Sequence, residues 1–304
     1  MFYKKCTALF CLVLLAGCSA LTSGSTADWP MWRCNANRGA DSPHELPAPL
    51  HLQWVREYPK LATAWTDQSR LRFDKAYSPV VMGKTMFVGS SHNDSVRALD
   101  TETGAERWTF YAGGPVRFAP VAWRGKLYVA CDDGRLYCLS AAKGTVLWKF
   151  RGGPSDRKIL GNQRLISAWP VRGAPTLIDG KVYFGASVWP FMGIFIYALD
   201  AETGKVVWSN DKTGSMYALR PHHSPAFSGL APQGYLAAVG DDLLIPNGRT
   251  TVARVDRRTG ELIYHHAVGS GTYHLAAAGR FFFNAGTLFE TKTGKPLNLR
   301  SNYG

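Results

Sequence analysis

The sequence is short of charge and shorter still of acid. Charged residues make up 19% of its 304 positions, against roughly 25% in ordinary globular domains, while aromatics reach 12%. A chain so poor in charge and rich in aromatics is not disordered. A helical bundle is excluded as well, because 31 Gly and 17 Pro would interrupt its helices. None of the six cysteines forms CxxC or CxxCH, so neither a thiol-redox pair nor attached c-type haem is expected. There is no P-loop, dinucleotide glycine pattern, nucleophile elbow or metalloprotease helix. No basic run is interleaved with aromatics, and nucleic-acid binding is not expected. The acid shortage leaves 35 Lys and Arg facing 22 Asp and Glu, a formal charge of +13. That balance favours an acidic ligand, partner or lipid surface.

Long apolar runs are also scarce. Residues 7–15 form one, behind Lys4 and Lys5, and it is too short for a permanent membrane span. It ends in Leu15-Ala16-Gly17-Cys18, which resembles a bacterial lipobox. The resemblance implies a signal peptide at 1–17, acylation of Cys18 and a lipidated linker over 18–48. Ser19 after the cysteine points to the outer membrane, facing the periplasm. Acyl chains contribute about 0.8 kcal/mol per buried methylene, enough for several to hold a domain at a bilayer. Loss of Lys4 and Lys5 would lower the charge to +11. Of the remaining cysteines, Cys131 and Cys138 flank the turn Asp132-Asp133-Gly134. A tight loop would set Cys131 opposite Leu136, a poor spacing for a disulfide, so buried free thiols are expected.

What is abundant is a repeat. Residues 97–108 read RALDTETGAERW, and the pattern returns at 137–148, at 197–208, at 255–264 and, worn, at 289–295. Each copy is a β-hairpin: Asp or Ser accepts hydrogen bonds from the turn, Gly takes the left-handed conformation, and the next strand brings in a Trp. Upstream lies a strand with Ser78-Pro79, Ala119-Pro120, Ala174-Pro175 or Ser224-Pro225, then a turn and a second strand. Four strands, A to D, in about 40 residues make a propeller blade, with the periodic Trp between neighbouring blades. The fold expected is therefore an all-β propeller of four-stranded blades over 49–304. Five blades are visible, and residues 52–55 form an orphan D strand. Either that strand completes a five-bladed ring or the chain is the front of a seven- or eight-bladed one, the second being favoured.

The repeats resemble the quinoprotein-type propeller family, in which Ala-Leu-Asp-x-x-Thr-Gly-x-x-x-Trp marks each blade. That family holds pyrroloquinoline quinone (PQQ) dehydrogenases and non-enzymatic lipoproteins such as the assembly factor BamB. The enzymes hold PQQ with an adjacent-cysteine disulfide, a Trp floor and calcium on acidic and amide side chains. No adjacent cysteines occur here and no calcium set can be placed, so no cofactor is expected, and PQQ with calcium is the alternative.

Loops between D and A and between B and C share one face of a propeller, where ligands usually bind. The longest D-to-A excursion is expected at 151–172, with Arg157, Arg164 and Trp169 as candidate contacts. Three residues before the strand-A prolines stand Arg117, Arg172 and His222, with Lys75 one residue out of register. They should cluster at the channel mouth, suited to carboxylates or phosphates, or else to salt bridges with nearby Asp. The B-to-C loops add Arg249 and an apolar tip with Trp189 and Phe191, plausible as a partner contact. The expected function is a lipid-anchored, non-enzymatic scaffold for envelope proteins, engaged through these loops or exposed strand edges. The alternative is a PQQ-binding quinoprotein oxidising alcohols or sugars.

Overall fold

A computed structural model describes residues 28–297, except 43, 47, 69–71, 162, 220–222, 249 and 267–270. The signal peptide, Cys18, His222 and Arg249 therefore lie outside the described residues.

The described chain is an arc of antiparallel sheets, each built in chain order. Blade 1 comprises β1 (Val80–Met82), β2 (Thr85–Ser90), β3 (Ser95–Asp100) and β4 (Glu106–Tyr111). Blade 2 comprises β5 (Val121–Trp123), β6 (Lys126–Ala130), β7 (Arg135–Ser140) and β8 (Val146–Arg151). A hairpin of β9 (Lys158–Gly161) and β10 (Arg164–Ser167) then precedes blade 3. That blade holds β11 (Val171–Ile178), β12 (Lys181–Ala186), β13 (Phe195–Asp200) and β14 (Val206–Asn210). A second hairpin, β15 (Tyr217–Leu219) with β16 (Pro225–Phe227), leads to β17 (Gly234–Tyr235), which joins the inner edge of blade 3 in parallel. Blade 4 is β18 (Ala237–Val239), β19 (Asp242–Asn247), β20 (Thr250–Asp256) and β21 (Leu262–Tyr264). Blade 5 has three strands, β22 (Leu275–Ala278), β23 (Phe281–Asn284) and β24 (Thr287–Glu290).

The repeat residues do what their chemistry dictates. Asp100 Oδ1 accepts from the backbone N–H groups of Glu102 and Thr103, and Asp200 and Asp256 cap the same turn in blades 3 and 4. Gly144 follows at φ +69°, and a Cβ there would stand 2.6 Å from Trp108 of the preceding blade. Trp54, Trp148, Trp208 and Tyr264 cover Gly104, Gly204, Gly260 and Gly294 in the same way. Each indole also donates to a turn carbonyl, as Trp108 Nε1 does to Ala141 at 3.0 Å. The periodic aromatics are thus inter-blade packing, worth about 3–5 kcal/mol each against alanine.

Three expectations change. Among the described residues no strand pairs with 52–55, so the ladder that would complete a five-bladed ring is not formed, although Trp54 takes a D-strand aromatic's place. Pro225 belongs to β16, outside any blade, and blade 4 begins at Ala237 instead. The connection 211–236 is consequently longer than the 151–172 excursion, and the alignment that selected His222 does not hold. Finally, Cys131 opposes Arg135, not Leu136, because Asp132-Asp133-Gly134 makes a three-residue turn. Both Cys131 and Cys138 are buried and free, as expected.

The expected linker contains an ordered stretch that crosses the axis. Asp28 Oδ1 accepts from Gly83 in the A-to-B turn of blade 1. Trp29 then pairs with Val81, the Pro30 carbonyl accepts from Ala122, the Ala36 carbonyl from Ala238, and the Asn37 carbonyl from Ala277. Thr176 Oγ1 reaches Ala36 at 3.4 Å. Residues 29–37 thereby touch strand A of all five blades near its turn end. Arg38 seals the plug, fully buried, donating to the carbonyls of Leu236, Trp32 and Pro175 at 2.8–3.0 Å.

Candidate functional site

At the loop end of the axis stand Arg117, in the connection just before β5 of blade 2, and Arg172, in β11 of blade 3, as their spacing predicts. Both converge on Asp132, from the B-to-C loop of blade 2. Arg117 Nε donates to Asp132 Oδ2, while Arg172 reaches Oδ1 through Nε at 2.5 Å and Oδ2 through Nη2 at 2.8 Å. Arg117 Nη1 also donates to Asp74 and to the Ala62 carbonyl. All four side chains are no more than 5% exposed. The expectation of an open cationic mouth is therefore corrected to its alternative, salt bridges to nearby Asp.

The two carboxylates fare differently. Burial raises the Asp132 carboxyl, but two guanidinium groups more than reverse this, and its pKa ends low. At Asp74 burial outweighs the lowering by Arg117, Arg172 and the Ala64 N–H, and the pKa ends high. Its Oδ1 atom is buried with no hydrogen bond. Burial lowers and the two carboxylates raise Arg117, with a net rise.

Residues 59–68 and 72–77 lie across this mouth as a cap. Ala64 donates to Asp74 Oδ2, and Trp65 Nε1 donates to Gln233 Oε1 at 3.0 Å. Phe73 stacks on Phe118 at 5.0 Å, and the Arg172 guanidinium sits 5.7 Å from the Phe73 ring. Below, Tyr235 stacks on Trp32 at 4.1 Å and its hydroxyl accepts from Ala119. The axis is filled from the turn end to the loop end: plug, aromatic layer, ion network, cap.

The insertion completes the loop face. Arg164 bridges from the β9–β10 hairpin to Asp94 and the Ser91 carbonyl of blade 1, so it is a clasp rather than a free cation. Trp169 is buried, its Nε1 donating to the Met192 carbonyl at 2.8 Å, and it supports the apolar tip instead of presenting a surface. Arg157 is exposed. In the blade 3 tip, a 3-10 turn at Pro190–Met192 leaves Phe191 63% exposed and Trp189 half-buried. Between cap, hairpin and tip lies a half-enclosed cavity of about 70 Å³, lined by Ala64, Trp65, Gly161, Ile166, Arg172, Val188 and Trp189. Sequence reading missed Asp74 and Trp65, which precede the first repeat and carry no periodic signal. Asp132 was legible only as a turn residue.

The chain matches the family described as outer membrane protein assembly factor BamB over residues 53–169 and 162–289. It is 28% identical over 206 residues to the dehydrogenase subunit of alcohol dehydrogenase (quinone) from Gluconobacter oxydans, covering 62% of this chain and 26% of that one. The solved quinohemoprotein alcohol dehydrogenase from Comamonas testosteroni aligns at a TM-score of 0.61 and 19% identity, over 90% of this chain and 48% of its own. BamB from Moraxella catarrhalis aligns at 0.50 and 19%, over 70% and 57%. The chain thus spans about a quarter of the first relative's length and about half of the solved structures'. With matches covering most of its length, the chain belongs to the PQQ-like β-propeller family of the BamB type.

Proposed function

We propose that the protein is a lipid-anchored, non-enzymatic propeller that binds partner proteins of the cell envelope through its loop face. The observation that carries this reading is the closed axis. Plug, ion network and cap fill the space where a propeller would take a central ligand, while Phe191 and the hairpin residues Leu160 and Leu165 stand exposed on the loop face. Side chains of that size exposed together mark an interaction surface. Acylation at Cys18 fits this geometry: 18 to 28 spans at most about 35 Å, and Asp28 docks on the turn face, leaving the loop face turned from the membrane. Among the described residues no helix is long and apolar enough to cross a membrane.

A second reading, a PQQ-dependent alcohol dehydrogenase, is favoured by the identity to the Gluconobacter subunit. The described residues do not fit that cofactor. Both oxygens of Asp132 are held by arginines, and no three His, Cys, Asp or Glu among the described residues are placed to share a metal. The loop-face cavity, about 70 Å³, is half the roughly 150 Å³ that admits a benzene ring, so that cavity does not hold a tricyclic quinone. The scaffold reading is tested by affinity capture from envelope extract with the full chain and with Trp189→Ala/Phe191→Ala. Partners should be retained by the first and lost by the second; equal recovery would refute it.

A further inference from the structure

We propose that the β9–β10 hairpin and the cationic rim at its base form the docking site for an extended acidic segment of a partner protein. This rests on the scaffold reading and names the partner's chemistry on the same face. The hairpin pairs Leu160 with Leu165, Ile159 with Ile166 and Lys158 with Ser167, so Lys158, Leu160 and Leu165 share one face. The opposite face belongs to the fold, because Ile166 is buried. On the outward face Leu160 is 78% and Leu165 58% exposed. Strand β9 pairs with β10 alone, so its outer edge carries no ladder among the described residues. A two-stranded ribbon gains stability from a third strand, and an open edge is where an extended partner adds its main chain.

Charge selects the strand. Next to the hairpin base, Arg135 and Arg151 stand directly opposite each other in blade 2, a like-charge pair that a sheet disfavours. Asp156 eases it, meeting Arg135 Nη2 at 2.7 Å and Arg151 Nη1 at 3.4 Å. Arg135 also lies 3.9 Å from Asp133, which is buried and accepts from the Tyr137 hydroxyl. Lys149, on the same face of β8 as Arg151, is exposed, as are Arg157 and Lys158, and none of the three meets a carboxylate among the described residues. Five cations thus share two carboxylates, one of them buried. At the other face, the A-to-B and C-to-D turns, counted with the strand ends that bound them, hold equal numbers of acidic and basic residues. The positive excess of the chain therefore lies away from the turns, and this rim concentrates part of it. An acidic segment supplies the carboxylates that the rim lacks. In a strand added beside β9, residues opposite Lys158 and Leu160 lie on one face, so the segment carries acid at one end and apolar side chains at the other. The scaffold reading sets the membrane at the turn face, which leaves the rim to a protein rather than to lipid.

The probe is an end-capped peptide, Glu-Thr-Glu-Thr-Val-Thr-Val, titrated into the full chain by calorimetry beside versions with Gln or Lys for both Glu. The Glu peptide should bind, and less tightly as salt rises. The Gln peptide should bind about threefold to tenfold more weakly, as two exposed charge contacts allow, and the Lys peptide more weakly still. Arg157→Ala/Lys158→Ala breaks no ion pair and should weaken the Glu peptide by a similar factor while leaving the Gln peptide unchanged. Leu160→Ser/Leu165→Ser should weaken both. Lys143→Ala/Lys205→Ala removes the same charge from exposed positions on the turn face and should change neither. Equal binding of the Glu and Gln peptides, an equal loss with the turn-face pair, or no binding of the Glu peptide would each overturn the site. So would phosphatidylglycerol vesicles that capture the chain through Arg157 and Lys158 while the peptide does not bind. If Trp189→Ala/Phe191→Ala loses its partners and the Glu peptide does not bind, the scaffold reading stands and the acidic site alone falls. If the Glu peptide binds in the expected pattern and that variant still recovers every partner, the acidic site stands and the scaffold test fails.

Discussion

Two arginine sites close the two ends of the same axis by opposite means. At the turn end Arg38 is fully buried without a carboxylate, facing three carbonyls and the Tyr235 ring at 5.7 Å. Burial pushes its pKa down to about 9 despite Tyr235. At the loop end Arg117 is nearly as buried, yet its pKa rises because Asp132 and Asp74 face it. Carbonyl dipoles let Arg38 fasten a segment to the blades, and its charge is tolerated rather than favoured. Paired carboxylates make the loop-end cluster an ionic unit in which every member depends on the others. One end is a structural lock, and the other is a buried ionic framework.

Breaking the ionic end should cost most. Asp132→Ala strands two buried guanidinium groups and is expected to lower unfolding free energy by about 3–5 kcal/mol, read from urea denaturation. Arg38→Met removes three carbonyl partners but also a disfavoured buried charge, so about 2–3 kcal/mol is expected in the same measurement. A larger loss for Arg38→Met than for Asp132→Ala would reverse the comparison.

Asp74→Asn sharpens it by pH. The folded pKa of Asp74 is raised, so the native state holds that proton more tightly than the unfolded chain does. Wild type should therefore gain stability relative to Asp74→Asn as pH falls from 7 towards its unfolded value near 4. Asp132 has the opposite sign. Its contribution is complete above the unfolded value and disappears as pH falls through its lowered folded pKa. Paired melts at pH 7 and 4.5 should show the Asp74→Asn gap shifting by about 1 kcal/mol or less. Phe191→Ala, at the exposed tip, should change stability by less than about 0.5 kcal/mol while reducing partner capture.

The propeller was legible because its determinants are local and periodic. Asp100, Gly104 and Trp108 lie within nine positions, and the later turns repeat the pattern with Ser140 for Asp in blade 2 and Tyr264 for Trp in blade 4. Arg117 and Arg172 were legible for the same reason, as equivalent positions in adjacent blades. Their neutralisation was not. Asp74 and Asp132 meet Arg117 across separations of 43 and 15 residues, from loops that carry no repeat. The plug was hidden too, since Trp29 to Arg38 has neither strand nor helix period and gains its structure from five separate strands. Pro225 misled because a proline after Ser looks alike in strand A and in a hairpin edge.

The measurement that bears most directly on the account is quinone binding to the intact protein. The full chain, solubilised in detergent, is titrated with PQQ in the presence of Ca²⁺ and followed by calorimetry and by the quinone absorbance. With the axis closed by plug, ion network and cap, no saturable binding and no dye-linked alcohol oxidation are expected. A stoichiometric quinone complex that turns over alcohol would contradict the closed axis and the scaffold reading together.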